Sequence, residues 1–200
     1  MDLYYTIESP VRAEIRVKAS RFIASAAAAD TKDGAMDFLR RVRAEFHDAT
    51  HNCYAYSMGP DGLEFRYSDD GEPAGTAGKP ILFELKKYNF NDAVCVVTRF
   101  YGGTKLGVGG LARAYAQSAE EALKLALPKP VYRTVPISVF CTYEDISAIK
   151  RLLSENAVSY IEDYRDAIEI EALLPVSKAD SFIKSVVNNT AGRAGAVLKK

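Results

Sequence analysis

The stretch from Ala93 to Ala119, AVCVVTRFYGGTKLGVGGLARAYAQSA, carries no acidic residue, although acids and bases balance at 26 each over the 200-residue chain. It opens as an apolar run, breaks at Gly102-Gly103, passes Lys105, and ends in Gly107-Val-Gly109-Gly110 before a helical pattern carrying Arg113. That order demands a strand, a glycine turn and a helix start in succession. The first N–H groups of a helix lack partners within it and favour anions. Arg99, Lys105 and Arg113 would stand beside them. The stretch therefore predicts a site for phosphate groups, on a nucleotide or along a nucleic-acid backbone.

A formal net charge of zero excludes a protein that grips nucleic acid through bulk positive charge, so any such contact must be local. The N-terminal MDLYYTIESPVRAE has no basic segment followed by an apolar core, and no apolar run approaches the roughly 20 residues of a membrane span. Cytosolic residence without membrane contact is the expectation. Cys53, Cys95 and Cys141 are odd in number, far apart and set in apolar, strand-like contexts. They predict buried free thiols, not disulfides or a zinc site.

Leu127-Pro-Lys-Pro130 marks the domain boundary, because two prolines one residue apart stop a helix and favour an extended link. In the first domain, 1–127, the pattern predicts strands over 11–18 and 20–26, and a helix over 33–46 capped by Thr31 or Asp33. A hairpin of 51–57 and 63–68 turns around Pro60-Asp-Gly62. An irregular loop over 68–79, a short helix over 79–88, a strand over 93–100 and a helix over 109–126 complete it. The second domain, 130–200, reads βαββαβ: strand 130–141, helix 144–154, strands 157–163 and 167–174, helix 176–189 and a strand near 194–199. That string is the ferredoxin-like split βαβ. The fold class is α+β in two domains.

The loop SDDGEPAGTAGK, 68–79, crowds acids, glycines and Lys79 between a strand and a helix, and long irregular loops are functional or disordered. Asp69, Asp70 and Glu72 offer oxygen ligands for a hard cation such as magnesium. They equally suit a turn held by Asx caps, and no metal is assigned. Gly78-Lys79 fails as a phosphate-loop motif, because Pro73 and Pro80 occupy the positions that need Gly and Ser or Thr. Gly107-Val-Gly-Gly-Leu-Ala112 fits G-x-G-x-x-A, but the intervening 102–106 segment and the missing downstream acid argue against a dinucleotide site. His47 and His51 are four apart, yet the turn between them removes the helical geometry of a metal pair. No catalytic grouping of Ser, His or Cys is present. Aromatics Tyr54, Tyr56, Phe65 and Tyr67 on the hairpin, and Phe100, Tyr101 and Tyr115 near the basic residues, suit either core packing or stacking on unpaired bases.

Three blocks, Asp48–Tyr56, Ser68–Pro80 and Val97–Tyr115, in this order resemble the signatures of the IMPACT family in its bacterial form. The resemblance covers about residues 15–127; the second half resembles more loosely the small C-terminal domain of bacterial members. It implies a left-handed βαβ first domain like the second domain of a small-subunit ribosomal protein and domain IV of the translocating elongation factor, and a second domain similar to that factor's ferredoxin-like domain V. For eukaryotic members it implies translational control under starvation, through competition for an activator of an initiation-factor kinase. Bacteria lack that pathway, so what carries over is contact with RNA, the ribosome or a translation-related protein, without cofactor and without DNA sequence specificity. The expected contact surface joins His51, Asp69, Asp70, Glu72, Lys79, Arg99, Tyr101, Gly102, Gly103, Lys105, Gly107, Gly109, Gly110 and Arg113. The alternative is a kinase-type enzyme holding nucleotide phosphates on the glycine-rich loop, though the serine pair of such kinases is missing.

Overall fold

In the computed structural model, residues 2–164 and 168–199 are described. The chain forms two units: Tyr4–Val131, and the run from Tyr132 onward, which also takes in Asp2 and Leu3. The first unit comprises β1 (Leu3–Ile7), β2 (Val11–Val17), β3 (Ser20–Ala28), α1 (Lys32–Glu45), β4 (His51–Met58), β5 (Glu64–Ser68), α2 (Gly78–Lys87), β6 (Ala93–Phe100), α3 (Val108–Leu123) and β7 (Pro128–Tyr132).

Its main sheet has the order β2-β3-β6-β4-β5, every neighbouring pair antiparallel. Helices cover both faces. Phe22, Cys53 and Val97 pack under Ile81 and Leu85 of α2 and Tyr115 of α3. On the other face, Tyr54, Tyr56 and Val96 pack under Leu39 and Val42 of α1. Double coverage is why β4 and β6 read as apolar runs and not as alternating strands. Each fully buried large apolar side chain contributes about 1.5–3 kcal/mol. Helix α1 starts at Thr31, whose hydroxyl accepts from Gly34 N–H at 3.1 Å.

Two strands are absent from the sequence pattern. β1 and β7 pair as a separate two-stranded ribbon, in which Pro128 and Pro130 are tolerated because β7 is an edge strand. The expected strand over 130–141 is broken at Arg133, whose N–H donates to the Asp2 carbonyl at 2.7 Å and whose carbonyl accepts from Val176 N–H at 3.0 Å. The prolines therefore lie within a strand, and the division between units falls after Val131.

The second unit runs β8 (Thr134–Cys141), α4 (Ile146–Asn156), β9 (Ser159–Tyr164), β10 (Ile168–Pro175), a 3-10 turn (Val176–Lys178), α5 (Ala179–Asn189) and β11 (Gly195–Leu198). Strand order is β11-β8-β10-β9, all antiparallel. Alternation along β10 buries Ile168, Ile170, Ala172 and Leu174 against Ile149, Leu153 and Phe182 of the two helices. Residue 167, expected to open that strand, lies outside the described residues.

Candidate functional site

Arg99 is the penultimate residue of β6 and stands in register between Phe22 of β3 and His51 of β4. It is 5% exposed. A guanidinium so placed needs a counter-charge and hydrogen-bond acceptors to repay its lost hydration. Glu72, equally buried, supplies them: Oε1 lies 2.6 Å from Arg99 Nη1. Tyr115 on α3 donates its hydroxyl to the same oxygen at 2.8 Å, and His51 Nε2 lies 3.9 Å from it. Arg99 Nη2 donates to Ser20 Oγ at 3.3 Å, while Nε, also buried, has no hydrogen-bond partner. The guanidinium carbon lies 5.4 Å and 5.2 Å from the ring centroids of Phe22 and Tyr101.

The acids of the 68–79 loop are committed inward. Asp69 Oδ1 accepts from the N–H groups of Ala77 and Gly78 at 2.9 and 2.8 Å, and Oδ2 from Gly75 N–H at 2.8 Å. Asp70 Oδ2 accepts from Asn52 N–H at 2.7 Å, and Oδ1 from Arg43 at 2.5 Å. The Asp70 carbonyl lies 2.8 Å from His51 Nδ1. This is the turn built on carboxylate caps. Among the described residues no group of three or more His, Cys, Asp or Glu is arranged to hold a metal ion. Burial pushes the Cys53 thiol and the Tyr115 hydroxyl well above their ordinary ionisation ranges, with neighbouring acids adding to it. Both stay protonated, which suits Tyr115 as a donor and makes Cys53 unreactive.

Beside the Glu72–Arg99 pair opens a cavity of about 360 Å³. The loop contributes Pro73; Tyr101, Lys105 and Leu106 come from the segment after β6; Gly107, Val108 and Leu111 come from the start of α3. Gly107 has φ 72°, the left-handed region that glycine alone enters freely, and this turns the chain into α3. The helix start has no side-chain cap and no acid in its first turn. Gly102 is required for another reason: a Cβ there would stand 1.8 Å from the Ala19 carbonyl oxygen.

The structure thus brings Glu72, Arg99, Tyr101, Lys105 and Gly107 together around one cavity, with His51 behind Glu72. Gly109 and Gly110 lie in the first turn of α3, and Gly103 is exposed in the turn before it. Lys79 and Arg113 are exposed on α2 and α3, outside the cavity wall, and Asp69 and Asp70 hold the loop. One expectation is corrected: Arg99 is not a free phosphate-contacting arginine, because burial forces it onto Glu72. Its acid partner was not apparent from the sequence, although an arginine closing the run AVCVVT was itself a sign of a buried charge. Ser20, Leu106 and Leu111 carry no such sign. Of the hairpin aromatics, Tyr54 and Tyr56 are core, and Phe65 and Tyr67 are exposed. All three cysteines are free and buried.

The Impact N-terminal domain family matches residues 18–123, and a domain of unknown function matches 139–193. The IMPACT family member YvyE of Bacillus subtilis (strain 168) is 34% identical over 194 residues, covering 96% of this chain and 88% of its own length. The IMPACT family member YigZ of Escherichia coli (strain K12) is 34% identical over 195 residues, 96% of each. A crystal structure described as that of a hypothetical protein superposes with a TM-score of 0.71 at 32% identity, over 100% of this chain and 98% of that one. With matches of this extent, and the glycine stretch and acidic loop inside the first of them, the chain belongs to the IMPACT family.

Proposed function

We propose that the protein is a non-enzymatic, cytosolic, translation-associated protein that binds RNA or the ribosome through the surface around its glycine stretch. The observation that carries this reading is the inward commitment of Asp69, Asp70 and Glu72. An acidic loop beside a basic stretch would repel a polyanion. Here its charges are satisfied by backbone N–H groups, Arg43 and Arg99, while Lys79, Lys105 and Arg113 remain exposed. Lysine and arginine meet phosphates, and free amides at the α3 start add to the attraction.

Family membership supports a role near translation, as the resemblance of the three sequence blocks implies. The crossover β3-α1-β4 spanning β6 supports a first unit of the βαβ type, and the order β11-β8-β10-β9 supports a ferredoxin-like second unit. The test is co-sedimentation of the full chain with purified ribosomes. The protein should pellet at low salt, be stripped as salt rises, and pellet less as the Lys105→Ala/Arg113→Ala variant. A chain that stays in the supernatant at every salt concentration, and binds no RNA, overturns the proposal.

A further inference from the structure

We infer that the cavity between β6 and the start of α3 receives a nucleoside 5′-phosphate unit, its base against Tyr101 and its phosphate on Lys105 and the α3 amides. This rests on the RNA-binding reading and deepens it by naming what the site takes. The cavity, about 360 Å³, falls within the range of small-ligand pockets, roughly 300–1,000 Å³. Its walls divide by chemistry. Pro73, Leu106, Val108 and Leu111 are apolar, and Val108 is 66% exposed at the first position of α3, an apolar side chain without cover. Tyr101 is 44% exposed, with the Arg99 guanidinium 5.2 Å from its ring centroid. An aromatic ring coupled to an arginine is a platform on which any base can stack.

Two groups independent of the helix start point to a ligand with a hydrogen-bonding edge. Arg99 lines the cavity, is more than nine-tenths buried, and has Nε without a partner. Glu72 also lines it, and the bonds it accepts from Arg99 and Tyr115 both fall on Oε1, so neither occupies Oε2. A buried Nε left in this condition is costly unless something bonds it. The pair sets a guanidinium and a carboxylate of opposite charge side by side on the cavity wall, which suits the edge of a base and not a bare anion. Glu72 and Arg99 neutralise each other, so the buried side offers no net positive charge to inorganic phosphate. The cationic Lys105 and the uncapped start of α3, which also line the cavity, suit a phosphate. A mononucleotide matches this division of charge, whether free in solution or unpaired within an RNA.

The test is an amide NMR titration of the full chain with uridine 5′-monophosphate, adenosine 5′-monophosphate, a short unpaired oligoribonucleotide and inorganic phosphate. Both mononucleotides should shift the amides of Tyr101 and Gly107–Gly110, and bind more tightly than phosphate. Tyr101→Ala should weaken mononucleotide binding at least about fivefold, the lower end of one lost base stack, while Tyr101→Phe binds as the wild type does. Tighter binding of the oligoribonucleotide identifies RNA as the source, and equal binding identifies the free nucleotide. Equal shifts with inorganic phosphate, or a Tyr101→Ala variant that binds unchanged, overturn the assignment. Tyr101 is exposed, so its variants leave the core intact. If the protein pellets with ribosomes but Tyr101→Ala has no effect on mononucleotide binding, the cavity assignment fails alone. If mononucleotides bind as described and the protein never pellets with ribosomes, the RNA reading fails alone.

Discussion

Arg99, the penultimate residue of β6, is buried, and the loop folds back so that Glu72 neutralises it beside the cavity. Removing one member of such a pair strands the other, at a cost of about 3–5 kcal/mol. Glu72→Ala should therefore lower unfolding stability in urea by that amount, and Glu72→Leu/Arg99→Met should recover most of it, since the double variant leaves no buried charge. Gly102 is the second sensitive residue. Gly102→Ala pushes a methyl group into the Ala19 carbonyl and should cost about 1–3 kcal/mol in the same assay, as overpacking does. These residues were visible in the sequence as a glycine turn and a lone arginine. Their partners were not, because Glu72 and Ala19 reach them through tertiary approach, which no local spacing records.

The loop 68–77 behaves as one piece because a single carboxylate gathers it: Asp69 holds three N–H groups that would otherwise be orphaned at the entrance to α2. Asp69→Ala should cost about 1–3 kcal/mol, and hydrogen exchange should accelerate at Gly75, Ala77 and Gly78 ahead of the sheet. Elements with strong local signals were legible. Thr31, one of two capping candidates, caps α1, and the hairpin turns near Pro60-Asp-Gly62. The β1–β7 ribbon escaped for a physical reason: its strands are short, contain Pro128 and Pro130, and find each other across more than a hundred residues. The acidic loop showed its charges but not their direction, since the sequence pattern of a solvated tip and of a capped turn is the same.

At the scale of the whole chain, thiols and acids report the two units separately. Burial pushes the Cys95 thiol up to about 12 and raises Cys53 and Cys141 as well, so none should react with a disulfide reagent in the native state and all three should react in denaturant. In the second unit, Arg193 donates to both oxygens of Asp145, at 2.6 and 3.1 Å, and holds its carboxyl below the ordinary aspartate value of 3.8. A depressed carboxylate stabilises the fold fully above that value and ceases to do so as pH falls through the lower folded-state value. Near-ultraviolet circular dichroism on acidification should show this loss, and Asp145→Asn should flatten it. No described helix is long and apolar enough to cross a membrane. The central claim, that the exposed cations around the glycine stretch contact RNA phosphates, is tested most directly by the salt dependence of binding to an unpaired oligoribonucleotide. Three phosphate contacts predict a log–log slope near about −2, roughly a twentyfold loss of affinity from 50 to 200 mM salt, reduced by about 0.7 in Lys105→Ala. Binding that ignores salt, or a Lys105→Ala slope equal to the wild type's, would contradict it.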